Sequence, residues 1–102
     1  MKQEPFGPLV PITSFKKYDE VIERANNHEL GLASYIFTNS MEKAHKTSEL
    51  METGVVAVNT PVVAVAEAPF GGIKQTGYGR EGGSMGIKDY LNIKYTHLGI
   101  TN

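Results

Sequence analysis

Six glycines lie within one run of sixteen residues, Ala68-Pro69-Phe70-Gly71-Gly72-Ile73-Lys74-Gln75-Thr76-Gly77-Tyr78-Gly79-Arg80-Glu81-Gly82-Gly83. Glycine tolerates positive φ and lets other backbone approach closely, so this run predicts a loop with defined bends. Before it the sequence alternates between strand and helix patterns, and after it come one short helix and one final strand. This glycine-rich loop, residues 68–83, therefore separates two parts of the fold.

The part before the loop follows a strand–helix–strand–helix–strand order. Residues 9–12 are a short apolar run that predicts the first strand. Residues 18–25 carry apolar side chains at i, i+3, i+4 and i+7, which predicts an amphipathic helix. Residues 33–38 predict the second strand, and the unbroken apolar run 55–58 predicts a third strand that is buried on both faces of a parallel sheet.

The second helix lies between the last two of these strands. Asn39 is the predicted N-cap, with Glu42 in the capping-box position, and the helix should end near Glu52, before Gly54. Its inward face is expected to carry Met41, Ala44, Ser48 and Met51. The order of elements predicts an α/β fold, a partial doubly wound parallel sheet of three strands. Beyond the glycine-rich loop we expect a helix over residues 84–91 and a strand over residues 93–100.

Composition excludes several classes of function. The formal net charge of −1 suggests neither nucleic acid nor an anionic membrane as a partner, and no apolar run reaches the roughly 20 residues of a membrane span. The chain has no cysteine, so it carries neither a disulfide nor a thiol nucleophile, and we expect a cytoplasmic location. His28, His45 and His97 lie on three different predicted elements with no carboxylate spaced beside them as a metal ligand would be, so no metal site is predicted.

Two short motifs imitate known sites. Residues 77–82 spell G-x-G-x-x-G, but a dinucleotide fingerprint needs a buried strand before it, which residues 73–76 do not predict. Ser84 lies in a G-x-S-x-G pattern, and Asp89 and His97 follow it in the order of a hydrolase triad. That site also needs a preceding strand and a larger sheet, so hydrolysis at Ser84 remains only as a third hypothesis.

Several separated motifs together resemble the C-terminal part of the aldehyde dehydrogenase superfamily. They are residues 4–8, 31–33, 58–60 and 69–77, in order and with fitting spacings. Residues 79–82, 86–91 and 93–95 further resemble the semialdehyde dehydrogenase branch, of which succinate-semialdehyde dehydrogenase is typical. The resemblance extends over the whole chain. It implies that residues 1–83 correspond to the C-terminal part of the catalytic domain and residues 84–102 to a helix and an oligomerisation strand.

The resemblance implies NAD(P)-dependent oxidation of an aldehyde to a carboxylate. In that family a cysteine thiolate attacks the aldehyde and a general base assists, and both groups lie upstream of the region that this chain resembles. We therefore expect no catalytic residue in this chain, no activity of the chain alone, and no NAD or NADP bound to it. In the complete enzyme, Glu4 matches the glutamate that accepts hydrogen bonds from the nicotinamide-side ribose, and Phe6 matches the aromatic residue beside the nicotinamide.

Four further residues match the aldehyde pocket of the family. Val62, Val63 and Ala64 match the variable wall of the aldehyde tunnel, and Phe70 matches the aromatic residue near its inner end. Phe70 could instead simply wedge the glycine-rich loop, and that alternative stays open.

The expected partners are further copies of this chain or a full-length relative. The resemblance implies that residues 93–100 pair with an element of a neighbouring subunit. An incompletely covered sheet also leaves apolar surface and open strand edges, which favour a homo-oligomer, most simply a two-fold dimer. The alternative to an aldehyde dehydrogenase fragment is therefore a self-associating interaction module with no catalytic role.

Overall fold

Two pairs of strands organise the computed structural model, which describes residues 5–100. The elements in chain order are α1 (Tyr18–Asn26), β1 (Leu30–Gly31), β2 (Ala33–Ile36), α2 (Met41–Leu50), β3 (Val55–Val58), β4 (Ile73–Lys74) and a 3₁₀ segment (Gly83–Tyr90). β2 and β3 are parallel, with Ala33 opposite Val55 and Ile36 opposite Val58. β1 and β4 are antiparallel, with Leu30 opposite Lys74. The mixed α/β character and the parallel pairing of residues 33–36 with 55–58 confirm the predicted fold class.

The β2–α2–β3 unit, residues 33–58, contains the buried apolar core of the described chain. Ala44 on α2 and Ala57 on β3 are 6% and 5% exposed, so α2 packs on the parallel pair through small side chains. Ser48 and Met51 are half-buried, as their predicted inward positions require. Met41 was predicted to face inward as well, but it is 83% exposed, because it occupies the first turn of α2, where the described residues provide no neighbour to cover it.

Ser40, rather than Asn39, caps α2. The Ser40 hydroxyl accepts a hydrogen bond from the Lys43 backbone N–H at 3.3 Å, which satisfies one of the free donors of the first turn. The predicted cap at Asn39 is therefore wrong by one residue. Hydroxyl and amide side chains at neighbouring positions are both good caps, so the sequence pattern alone could not separate them.

Three hydrogen bonds attach α1 to α2 and to the residues just after it. The Tyr18 and Thr47 hydroxyl oxygens are 3.0 Å apart. At the other end of α1, the Asn26 amide donates to the Leu50 carbonyl at 2.7 Å and accepts from the Glu52 N–H at 2.9 Å. The end of each helix is thereby fixed against the other.

The predicted first strand is not formed. Residues 9–12 contain no strand, and Leu9, Val10 and Ile12 are 64%, 81% and 87% exposed, so the parallel sheet has two strands instead of three. Pro11 has no backbone N–H to give to a sheet, and within residues 5–100 this segment has no strand beside it. An apolar run that short indicates strand propensity without determining that the strand will pair.

Two elements after the glycine-rich loop also differ from expectation. Residues 83–90 form a 3₁₀ segment in place of an α-helix, with Gly86 as its buried residue. Residues 91–100, the terminal arm, contain no strand in the described chain, and every one of them is exposed. A strand needs a neighbour to satisfy its backbone, so an arm with none in the described residues forms no strand there. Its pairing with a second subunit stays a prediction.

The chain exposes far more surface than a folded monomer of its mass. Its accessible area is 9066 Å², compared with about 5,700 Å² expected from the scaling of monomeric proteins. The radius of gyration is 19.2 Å, whereas about 13 Å is typical of a compact domain of this length. Within residues 5–100, no helix is long and apolar enough to cross a membrane. Many large apolar side chains of the described residues are exposed, among them Val10, Ile12 and Ile93.

Candidate functional site

The glycine-rich loop is closed at its neck by a pair of backbone hydrogen bonds. The Phe70 N–H donates to the Glu81 carbonyl at 2.7 Å, and the Glu81 N–H donates to the Phe70 carbonyl at 2.9 Å. Gly79 and Gly82 have φ of 84° and 74°, a conformation that glycine adopts without strain. The loop predicted from glycine content thus has a defined closed shape, and Phe70 lies at its neck.

The tip of the loop is fastened to the strand and helix region. β4 lies in the tip and pairs with β1, and the Thr76 hydroxyl accepts from the Gly31 N–H at 2.8 Å. The Lys74 ammonium donates to the Asn26 and His28 carbonyls at 2.8 and 3.2 Å, just past the end of α1, where a cation is favourable. Lys74 keeps a φ of 57°, a costly value for a residue with a side chain, because these contacts hold it there.

The base of the loop is fastened to the apolar segment that follows β3. The Gly83 N–H donates to the Ala66 carbonyl at 2.8 Å. Near this contact, two of the four predicted pocket residues, Ala64 and Phe70, border one open groove of about 320 Å³. Its lining residues are Ala64, Val65, Ala66, Phe70, Glu81 and Gly82. Val62, which is 58% exposed, and Val63, which is half-buried, are not among the residues that line it.

The segment with these apolar residues begins at the carboxyl end of the parallel pair. Asn59, directly after β3, donates its side-chain amide to the Thr38 carbonyl and accepts from the Thr38 N–H, both at 2.9 Å. The Asn59 N–H also donates to the Ile36 carbonyl at 2.7 Å, which extends the pairing of β2 and β3 by one residue. Ligands of open α/β sheets bind beyond the carboxyl ends of their strands, and residues 62–64 follow that edge.

A second open groove, of about 280 Å³, also borders the loop neck. It is lined by Phe70, Tyr78, Gly79, Arg80, Glu81, Asp89 and Tyr90. Arg80 and Asp89 are in contact there, since the Arg80 backbone N–H donates to Asp89 Oδ2 at 2.9 Å. The sequence gives no sign of this pairing, because a bond from a backbone N–H to a carboxylate nine residues away follows no spacing rule.

Of the two residues assigned to the cofactor, the structure describes Phe6 alone. Glu4 lies outside the described residues. Phe6 is 93% exposed and lines neither groove. Its role beside a nicotinamide stays a prediction.

The imitating motifs do not assemble into sites. Asp89 is bonded to the backbone of Arg80, and His97 Nδ1 lies 3.1 Å from the Tyr95 hydroxyl, so no hydrogen bond among the described residues joins Ser84, Asp89 and His97. The G-x-G-x-x-G run follows the two-residue β4 and precedes a 3₁₀ segment, which is not the strand–turn–helix of a dinucleotide site. Residues 5–100 also contain no cluster of three metal-ligating side chains.

Comparison with known proteins gives consistent results. The sequence profile described as "Aldehyde dehydrogenase family" matches residues 1–96. The chain is 52% identical over 97 residues to the 3-sulfolactaldehyde dehydrogenase of Pseudomonas putida, covering 95% of this chain and 20% of that protein. It is 46% identical over 99 residues to the succinate-semialdehyde dehydrogenase [NADP(+)] of Escherichia coli (strain K12), covering 97% of this chain and 20% of that protein.

Solved structures show the same relationship. The fold superposes on the crystal structure of succinate-semialdehyde dehydrogenase from Burkholderia pseudomallei with a TM-score of 0.88 and 43% sequence identity. The superposition covers 93% of this chain and 20% of that one. The chain therefore spans about a fifth of the length of the curated relatives that it matches.

Proposed function

The chain belongs to the aldehyde dehydrogenase family, as its motifs predicted, and on that premise we propose that it is the C-terminal part of an NAD(P)-dependent enzyme that oxidises a semialdehyde to a carboxylate. The observation that carries the proposal is its identity of 46–52% with two dehydrogenases named for such aldehydes. Succinate semialdehyde and 3-sulfolactaldehyde both carry an anionic group in addition to the aldehyde. The proposed substrate class is therefore a short aldehyde with a second, acidic group.

In this proposal the chain shapes the pocket and does not supply the nucleophile. Ala64 and Phe70 present methyl and aromatic surface in one groove, which suits the carbon chain of a substrate. The chain has no cysteine, so the thiolate that the family uses must come from elsewhere in the enzyme. NAD or NADP accepts the hydride when it is bound.

The residues assigned to the cofactor have suitable chemistry. An ionised glutamate such as Glu4 accepts hydrogen bonds only, which suits a ribose diol. Phe6, two residues later, leaves most of its ring free for contact with a planar group. We propose that both side chains approach the nicotinamide end of the cofactor in the complete enzyme.

A chimera tests the enzymatic proposal directly. Residues 1–102 would replace the matching segment of the Escherichia coli succinate-semialdehyde dehydrogenase [NADP(+)], and reduced cofactor would be followed by absorbance. We expect turnover of succinate semialdehyde with kcat/KM within about tenfold of the parent enzyme, because the segment supplies pocket wall and not reacting groups. A chimera that folds and assembles but gives no turnover would contradict the proposal.

The same chimera tests the cofactor assignment. Glu4→Gln should raise the KM for NADP, while Glu29→Gln, which makes the same charge change in an exposed side chain, should not. Equal kinetics for the two variants would remove Glu4 from the site. The 102-residue chain alone should show no protein-dependent reduction of NAD or NADP with any semialdehyde, and turnover above background would refute that expectation.

Self-association is the second candidate function, and the excess of exposed surface favours it. Ile93, Tyr95 and Ile100 in the terminal arm are 101%, 84% and 91% exposed. Apolar surface of this kind associates in water, so we propose a homo-oligomer, most simply a two-fold dimer, or association with a full-length relative. Light scattering at micromolar concentration should give at least twice the mass of the chain. A monomer with a cooperative thermal transition would refute the proposal.

A further inference from the structure

Arg80 holds the two sides of the glycine-rich loop together at its neck. Its Nη1 donates to the Gly72 carbonyl at 2.8 Å and to the Gly79 carbonyl at 2.7 Å. Its backbone N–H donates in turn to Asp89 Oδ2 at 2.9 Å. Arg80 therefore joins both sides of the loop to the 3₁₀ segment.

The neck is too closely packed to move without breaking these bonds. A Cβ added at Gly71 would lie 2.6 Å from the Gly79 carbonyl oxygen and 2.8 Å from Arg80 Cδ. Real Cβ atoms do not approach so closely, and the side chain of Arg80 is itself half-buried. The Arg80 guanidinium is used on carbonyl groups, and no ion pair joins it to Asp89 in the part of the chain that the structure describes. The Asp89 carboxylate thus acts through a hydrogen bond to the backbone.

We propose that Asp89 and Arg80 are positioning residues that keep the Phe70 ring in the wall of the aldehyde pocket. The inference rests on the proposed function. Arg80, whose N–H donates to Asp89, directly precedes Glu81, and the N–H and carbonyl of Glu81 are the two partners of the Phe70 backbone. Without Asp89 the Arg80 N–H loses its acceptor, the Phe70–Glu81 pair becomes free to open, and Phe70 moves away from Ala64.

Hydrogen exchange on the 102-residue protein tests the first step without any assay of activity. Asp89→Ala should accelerate exchange of the Arg80, Glu81 and Phe70 amides by about tenfold, the factor that corresponds to one lost hydrogen bond. Asp89→Asn keeps a side-chain oxygen acceptor and should stay within about twofold of the parent chain. The Asn59 amide, bonded to Ile36 in the parallel pair, is the internal control and should not change.

Three results would overturn the positioning role. One is an unchanged Phe70 amide in Asp89→Ala, and another is equal acceleration in the Ala and Asn variants, which would make charge the cause. The third is acceleration of the Asn59 amide together with the others, which would mean that Asp89 supports the whole fold and not the neck of the loop.

Kinetics in the chimera test the second step. Asp89→Ala should raise the KM for succinate semialdehyde about tenfold and change kcat less than KM, because the displaced ring shapes the pocket without touching the reacting atoms. Asp89→Asn should restore the parent KM, and Asp19→Ala, an exposed carboxylate on α1, should leave it unchanged. Loss of kcat at unchanged KM would refute the positioning role. An inactive unmodified chimera would refute the proposed function alone, because the exchange result does not depend on turnover.

Discussion

The β2–α2–β3 unit and the terminal arm have similar apolar content and different structures. Residues 55–58 form a paired strand with Ala57 only 5% exposed, whereas Ile93 in the arm is 101% exposed. Strand propensity does not separate them, because Ile, Tyr and Val all favour strands. The difference is the neighbour: β3 finds β2 within the same unit, while the arm finds no strand within residues 5–100. A strand pattern in the sequence therefore predicts a paired strand only where the chain also supplies a neighbouring strand.

A charged side chain placed in each region is expected to give the largest difference in stability between them. Ala57→Asp would bury an unpaired carboxylate, which costs several kcal/mol, comparable to the whole stability of a small fold. We expect loss of the helical circular dichroism signal. The matched Ile93→Asp should keep that signal unchanged even if it weakens the proposed oligomer, because the Ile93 side chain is fully exposed within its own chain and supports neither helix. A folded Ala57→Asp variant would show that β3 is not a buried strand in solution.

A methyl group added to one glycine of each region is expected to have an intermediate effect on the free energy of unfolding. A Cβ on Gly54, just before β3, would overlap the Gly71 carbonyl of the glycine-rich loop, so Gly54→Ala should lower the free energy of unfolding by about 3 kcal/mol. Gly99 in the arm has no atom within 4 Å of such a Cβ, and Gly99→Ala should change stability by less than about 0.5 kcal/mol. Urea titration would measure both. Equal midpoints would mean that the loop does not pack against Gly54.

The smallest expected effect concerns the cap of α2. Ser40→Ala removes the acceptor of the Lys43 N–H and should lower the free energy of unfolding by about 1 kcal/mol. Asn39→Ala and Thr96→Ala, one beside the cap and one in the arm, should have no measurable effect on the thermal transition. A larger loss for Asn39→Ala than for Ser40→Ala would restore the cap that the sequence analysis predicted.

Local pattern predicted the elements whose partners lie close in the sequence. The predicted helix of residues 18–25 is α1, and the predicted strand of residues 55–58 is β3. β1 and β4 have two residues each, which is too short for any periodicity to detect. The strand predicted at residues 9–12 had the right composition but no neighbouring strand among residues 5–100, which the sequence does not reveal.

The sequence shows only part of the candidate site. Motif spacing is visible in it, whereas hydrogen bonds from side chains to backbone groups are not. The spacing of Gly, Pro and Phe residues carried the family resemblance, which the comparisons confirm. Ala64 and Phe70 border one groove, and their place in an aldehyde pocket stays a prediction. Arg80 and Asp89 were not recognised as loop-holding residues. Their bonds go to backbone groups, and every residue except proline offers the same backbone donor and acceptor.

The pairing of β1 with β4 has a consequence for the order in which the chain folds. Gly31 and Ile73 are 42 residues apart, whereas Ala33 and Val55 in the parallel pair are 22 apart. Loop closure becomes entropically more costly with length, by about 0.6 kcal/mol per doubling, and the longer loop must also arrange its glycines before β4 can pair. The β2–β3 pair should therefore form in an earlier kinetic phase, and the glycine-rich loop should close onto it later. Pulse-labelling during refolding should find the Asn59 amide protected before the Gln75 amide, which bonds to Glu29 at the tip of the loop; the reverse order would show that the loop leads.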